Sequence, residues 1–220
     1  MLLISRHLSI FLIITILASC GKQDGDSKLL HSILDSMKED FPKIVANPNK
    51  YRLQIIYTQV DRNPDQLPSF TTHYYHFDPE KYFYPASTVK FPATVLALEK
   101  VNHYQSLGLK KESPLTVGVG FEGQTAVDED STSENGKASI DHYIKKIFVV
   151  SDNDAYNRLY ELLGQDGFNQ RMWDLGYSET RIRHRLSIPL SLDQNRYTIQ
   201  LLFTMKKVSS FFISPSGDLF

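Results

Sequence analysis

The segment Tyr84-Pro85-Ala86-Ser87-Thr88-Val89-Lys90-Phe91 constrains this chain more than any other. It sets a serine at the mouth of an apolar helix and a lysine three residues on, and residues i and i+3 of a helix share one face. Ser87 and Lys90 then point into the same small volume. A serine hydroxyl is a poor nucleophile until a base takes its proton. A lysine amine can be that base when burial or neighbouring charge keeps it neutral near pH 7. The continuation, with Phe91, Val95, Leu96, Leu98 and Val101, is apolar enough to supply the burial. The spacing alone is a weak signal, because an N-cap serine followed by a surface lysine reads the same way.

The tripeptide Ser151-Asp152-Asn153 strengthens it. It falls between two expected helices, so its side chains can leave the backbone toward a cleft. Ser151 offers a hydroxyl that can relay a proton. Asn153 offers an amide that can bond both a substrate carbonyl and the Lys90 amine. Asp152 suits a local role, bracing the turn through backbone hydrogen bonds.

S-x-x-K heading a core helix, followed 64 residues later by S-D-N between two helices, resembles the penicillin-recognising serine hydrolases. The nearest likeness is to class A β-lactamases, with D,D-peptidases as relatives, and it extends over about residues 28–200. The resemblance implies an α/β (α+β) fold of β-lactamase/transpeptidase type, with a helical subdomain over about 87–200. A small antiparallel sheet is then built from about 28–82 and the C-terminal residues, with the active site at their junction. It implies that Ser87 forms an acyl-enzyme with a β-lactam or related amide or ester. Lys90 serves as base, Ser151 protonates the leaving nitrogen and Asn153 orients the substrate. The Ser87 amide supplies one oxyanion donor, favourably placed at a helix N-terminus, and Tyr104 lines the cleft. Two departures stand out. The loop Ile182-Arg183-His184-Arg185-Leu186-Ser187-Ile188 holds no glutamate to activate a deacylating water, leaving His184 as its one candidate base. No lysine is followed by Thr-Gly or Ser-Gly, so the sheet is expected to be incomplete and the chain truncated at its C-terminus, or else a degenerate member.

The ends of the chain carry an address. Arg6 and His7 precede the apolar run Leu8–Leu17, which is short for a membrane span and has the layout of a signal peptide. Leu17-Ala18-Ser19-Cys20 resembles a bacterial lipobox, which implies cleavage before Cys20 and lipid on its sulfur. Cys20 is the only cysteine, so no intrachain disulfide is available. The expected organisation is a signal peptide over 1–19, a lipid-anchored tether over 20–27 and one domain over 28–220. Gly21 in place of aspartate favours the outer membrane, facing the periplasm.

Lys+Arg 24 against Asp+Glu 25 argues against nucleic-acid binding, which needs a basic excess. Seven histidines form no H-x-x-x-H or H-E-x-x-H pattern, so neither a metal nor another cofactor is expected. The expected partners are a small-molecule substrate and a bilayer reached through Cys20, with the protein a monomer.

Along the chain, residues 28–40 have helical apolar spacing. Tyr51–Val60 and Phe70–Phe77 read as the strands of a hairpin. Helices are expected from Ser87 to about Tyr104, from Ser139, and after Ser151-Asp152-Asn153 to Gly164, with a short one over Phe168–Leu175. Ser106–Lys137 reads as a long polar lid or cleft wall, with Asp128-Glu129-Asp130 a solvated run. Glu179–Ile188 reads as an extended or irregular loop, helix is favoured from about Tyr197, and Phe211–Phe220 reads as a strand and turn. Three functions fit: a β-lactamase-type hydrolase, a D,D-peptidase-like enzyme acting on peptidoglycan stems, or a lipid-anchored envelope protein that keeps the fold without turnover.

Overall fold

The computed structural model describes residues 26–62, 64, 66–120, 124–198, 201–204 and 211–213. Cys20 and the expected signal peptide lie outside them. The chain divides into two compact units, parted between Phe83 and Tyr84. Helices and small antiparallel sheets together give the expected mixed α/β content.

In the first unit, α1 (Lys28–Ser36) and α2 (Pro42–Ala46) precede a hairpin of β1 (Ile55–Asp61) and β2 (Ser69–Tyr75). The hairpin was legible from its β-branched and aromatic runs. Its register pairs Ile55 with Tyr75 and Asp61 with Ser69. Cross-strand contacts hold it: Thr58 and Thr72 share a hydroxyl hydrogen bond of 3.0 Å, and the Tyr57 and His73 rings stack at 5.9 Å. Buried Leu30 of α1 and buried Tyr75 of β2 belong to this unit.

The second unit carries the larger core. A 3-10 turn (Ala86–Val89) runs into α3 (Lys90–His103). Then follow β3 (Leu115–Val117), α4 (Ile140–Val150), α5 (Asn153–Leu163), α6 (Gln165–Asp174), α7 (Leu192–Arg196), β4 (Leu201–Phe203) and β5 (Phe211–Ile213). Ser139 caps α4 by accepting from the His142 amide at 3.1 Å, and Asp152 caps α5 by accepting from the Ala155 amide at 2.8 Å. Helix α5 packs against α3, α4 and α6, and every residue from Ala155 to Leu163 is buried. A helix apolar on one side only would leave part of itself in water; this one is enclosed. Burial of Leu159, Leu162 and Leu163 contributes about 1.5–3 kcal/mol each. The same enclosure forces partners on its polar residues, Asn157, Arg158 and Glu161.

Several expectations need correction. Leu115–Val117 is a strand inside the region read as a polar loop, because its apolar residues pack under the core and pair with β4. Tyr197 is extended and Leu201–Phe203 form β4, where helix was expected; the short helix lies before them, opened by the Ser191 and Gln194 capping box. Strand β5 pairs with β4 in a three-stranded sheet of order β3–β4–β5, and β1 and β2 form a two-stranded sheet of their own, where one sheet was expected. Residues 214–220 lie outside the described set. Asp130 is not a solvated charge. It is largely buried, with its carboxylate 3.2 Å from both Lys146 Nζ and His142 Nε2.

Candidate active site

The nucleophile candidate sits on a strained turn. Ala86 adopts φ +47°, the left-handed region that non-glycine residues avoid at a cost of about 1–2 kcal/mol. Ser87 follows within the 3-10 turn rather than at the cap of an α-helix. With three residues per turn, positions i and i+3 eclipse, and the Lys90 amide donates to the Ser87 carbonyl. Ser87 is therefore exposed while Lys90, one turn on, is only 3 % exposed. Its amide stands at the opening of the turn, where N–H groups lack helical partners.

A second strained turn meets it. Ser151 ends α4 at φ +55° and returns its amide to the Ile147 carbonyl, a left-handed helix stop. That stop aims three acceptors at Lys90. The Lys90 ammonium donates to the Ser151 carbonyl, to Ser151 Oγ at 2.9 Å and to Asn153 Oδ1 at 2.7 Å. Ser151 Oγ in turn donates to Ser87 Oγ at 3.3 Å. Ser87, Lys90, Ser151 and Asn153 thus form one hydrogen-bonded chain, all within the second unit. Burial pushes the Lys90 pKa below the ordinary lysine range, against the opposing pull of the Asp152 carboxylate. Asp152 is shared with Lys146, 3.7 Å away, besides capping α5.

The loop after α6 forms the next shell. Asn153 Nδ2 donates to Ser187 Oγ at 2.7 Å. Asn157, one turn further on α5, grips Leu186 at both backbone atoms: Oδ1 accepts from its amide at 2.7 Å and Nδ2 donates to its carbonyl at 3.0 Å. Asn169 does the same for Ile182, at 2.7 Å in each direction. Arg185 is buried, with Nε on Glu161 Oε1 at 2.9 Å, while Arg158 reaches Glu161 Oε2 at 3.3 Å. The loop is irregular, as one of the two sequence readings had it, and its shape is set by these side chains. His184 stacks on Tyr84 with ring centroids 6.5 Å apart, and its Nδ1 lies 2.8 Å from the Arg185 carbonyl. Since a carbonyl only accepts, neutral His184 carries its proton on Nδ1.

Tyr104 is not part of this assembly. It caps the C-terminal end of α3, whose first residue is Lys90, and packs partly buried against the core. Fourteen helical residues at 1.5 Å each separate the two ends by about 20 Å. Sequence reasoning also missed Ser187, Asn157 and the Glu161–Arg185 pair. A glutamate and an arginine on an apolar helical stretch and a polar loop were the available signal, but nothing local joins them. Among the described residues no carboxylate is hydrogen-bonded to Ser87, Lys90 or Ser151. No group of three or more His, Cys, Asp or Glu residues among them could hold a metal ion.

The model of the Beta-lactamase enzyme family matches residues 38–211, a span that takes in the turn at Ser87, Ser151-Asp152-Asn153 and the pinned loop. No curated protein and no solved structure matches the chain. A match over well more than half of the 220 residues settles the family: this chain belongs to the beta-lactamase enzyme family.

Proposed function

We propose that the chain is a serine hydrolase in which Ser87 opens a β-lactam, or a related amide or ester, through an acyl-enzyme. The observation that carries this reading is the hydrogen-bonded line Lys90–Ser151–Ser87 with the lysine buried and the nucleophile exposed. In the direction seen, each group donates toward Ser87. When Lys90 is neutral the line runs backwards: Ser87 donates to Ser151 and Ser151 donates to Lys90. Attack on the substrate carbonyl forms the Ser87 Oγ–C bond and passes the Ser87 proton along this line. Collapse of the tetrahedral intermediate breaks the C–N bond, and the same line returns the proton to the leaving nitrogen. The Ser87 amide supplies a donor to the developing oxyanion.

A second reading has one observation in its favour. With no carboxylate among the described residues bonded to the chain of hydroxyls and amine, a water there has no carboxylate base, so the acyl group outlives its formation or passes to an amine. That suits a D,D-peptidase-like enzyme of peptidoglycan stems. Leu17-Ala18-Ser19-Cys20 supports the same surroundings: processing before Cys20, a lipid on its sulfur, and a periplasmic lipoprotein, on the outer membrane by virtue of Gly21. Incubation with a chromogenic cephalosporin and with an acyl-D-Ala-D-Ala ester distinguishes the substrates. The expected result is a Ser87-dependent reaction with at least one. A folded chain that reacts with neither leaves only the non-catalytic envelope protein, and a reaction that Ser87→Ala retains refutes Ser87 as the nucleophile. Cys20→Ala is expected to release the protein from the membrane fraction.

A further inference from the structure

Asn153 is held at both ends, and the second holder comes from the loop. On α5, Asn153 and Asn157 stand one turn apart and take consecutive loop residues, Ser187 and Leu186. The grip on Leu186 is made to backbone, so it sets the register of the loop on the helix. Ser187 accepts from Asn153 with its backbone at φ +58°. This is the third left-handed non-glycine residue at the site, after Ala86 and Ser151. Such strain persists where the surroundings over-determine it. The Ser187 hydroxyl is what the strained backbone delivers.

We infer that Ser187 is a positioning residue for acyl transfer, holding the Asn153 side chain against Lys90 so that the Lys90 lone pair is left to the Ser151 hydroxyl. The inference rests on the proposed roles of Ser87 and Lys90. A neutral amine has two N–H groups and one lone pair. The Ser151 carbonyl only accepts, and so does Asn153 Oδ1. While both face Lys90 they consume its two N–H groups, and the lone pair is left for Ser151 Oγ. A carboxamide that moves off Lys90 leaves one of those N–H groups without a partner and frees the amine to turn its lone pair away from Ser151. Lys90 holds Oδ1 strongly only while charged, because a neutral hydrogen bond has about half the strength of a charge-assisted one. The hold at Ser187 therefore matters most in the neutral state that takes the proton. The charge facing Lys90 is Asp152, itself shared with Lys146.

Ser187→Gly removes the hydroxyl and relieves the backbone strain, so the fold is retained. Ser187→Asn restores a side-chain oxygen with a residue that tolerates the left-handed region. Two readouts are taken on the chain as expressed and purified: the rate of Ser87 acylation by benzylpenicillin, and the titration midpoint of Lys90 from its 13Cε shift, assigned with Lys90→Met. Ser187→Gly is expected to acylate about ten-fold more slowly. Its Lys90 midpoint falls, because a carboxamide no longer held in place stabilises the charged amine less, and Ser187→Asn recovers both. Parental acylation and an unmoved midpoint in Ser187→Gly overturn the inference. If the parent itself forms no adduct, the proposed function fails and the role in acyl transfer with it, and the midpoint decides the positioning alone: a shift upholds the hold of Ser187 on Asn153 and no shift overturns it.

Discussion

Lys100 gives the chain a stability that depends on alkaline pH. It lies on α3, is 1 % exposed, and its Nζ donates to the Leu162 carbonyl at 2.8 Å. That carbonyl belongs to the last turn of α5, where no helical partner exists. The contact satisfies a hydrogen-bond acceptor but brings no counter-charge. Burial pushes the Lys100 pKa from 10.5 down to about 8. Below about pH 8 the lysine is charged whether the chain is folded or unfolded, and the folded state bears the whole cost of burying the charge. Above 10.5 it is neutral in both and the cost has gone. Stability therefore rises with pH through this window, by about 3 kcal/mol in all and by about 2.5 kcal/mol between pH 7 and 10. Lys100→Met removes the titration while filling a similar volume. Near neutrality the lost bond to Leu162, about 1–3 kcal/mol, offsets the relief from burying a charge, so parent and variant differ little. Urea unfolding followed through Trp173, the only tryptophan, reports on this unit. The parent is expected to gain about 2–3 kcal/mol on the variant from pH 7 to 10. A difference that does not change with pH refutes the reasoning.

Other consequences are as direct. Ser151→Ala removes the middle hydroxyl of the line and is expected to slow acylation of Ser87 at least about 100-fold in stopped-flow assays, with the fold intact. Glu161→Gln removes the buried carboxylate that Arg185 shares with Arg158, which keeps Asp154, and is expected to cost about 3–5 kcal/mol in urea unfolding. Burial pushes the Asp130 pKa up, but hydrogen bonds from the Thr132 hydroxyl and amide and from Lys146 outweigh it and hold the carboxyl at about 2. Its stabilisation is present above the unfolded carboxylate range and lost as pH falls toward 2. Asp130→Asn is thus expected to cost about 2 kcal/mol at pH 6 and progressively less below pH 4, measured by unfolding across that range.

The parts of the site that a reader of the sequence can find are those fixed by local geometry. Ser87 and Lys90 stand one turn apart on a single segment, and Ser151 Oγ bridges them. Ser151 and Asn153 flank an aspartate whose capping role is written in its position, and the structure finds Asp152 on the Ala155 amide. The hairpin was legible because alternating β-formers and a turn decide it locally. What escaped depends on distance in sequence. Asn157 and Leu186 are joined across 29 residues, and Glu161 and Arg185 across 24, by the enclosure of α5. Strand β3 escaped because three residues in a polar stretch become a strand only when β4 arrives beside them. Tyr104 was misplaced because the helix that carries Lys90 continues away from the site for its whole length.

Intact-protein mass of the purified chain, after exposure to benzylpenicillin and separately to a fluorophosphonate, tests the central claim most directly. An activated Ser87 predicts a mass increase with each reagent that Ser87→Ala loses, and its decay time measures how well water is activated without a carboxylate. A folded chain whose mass stays unchanged with both reagents would contradict the account.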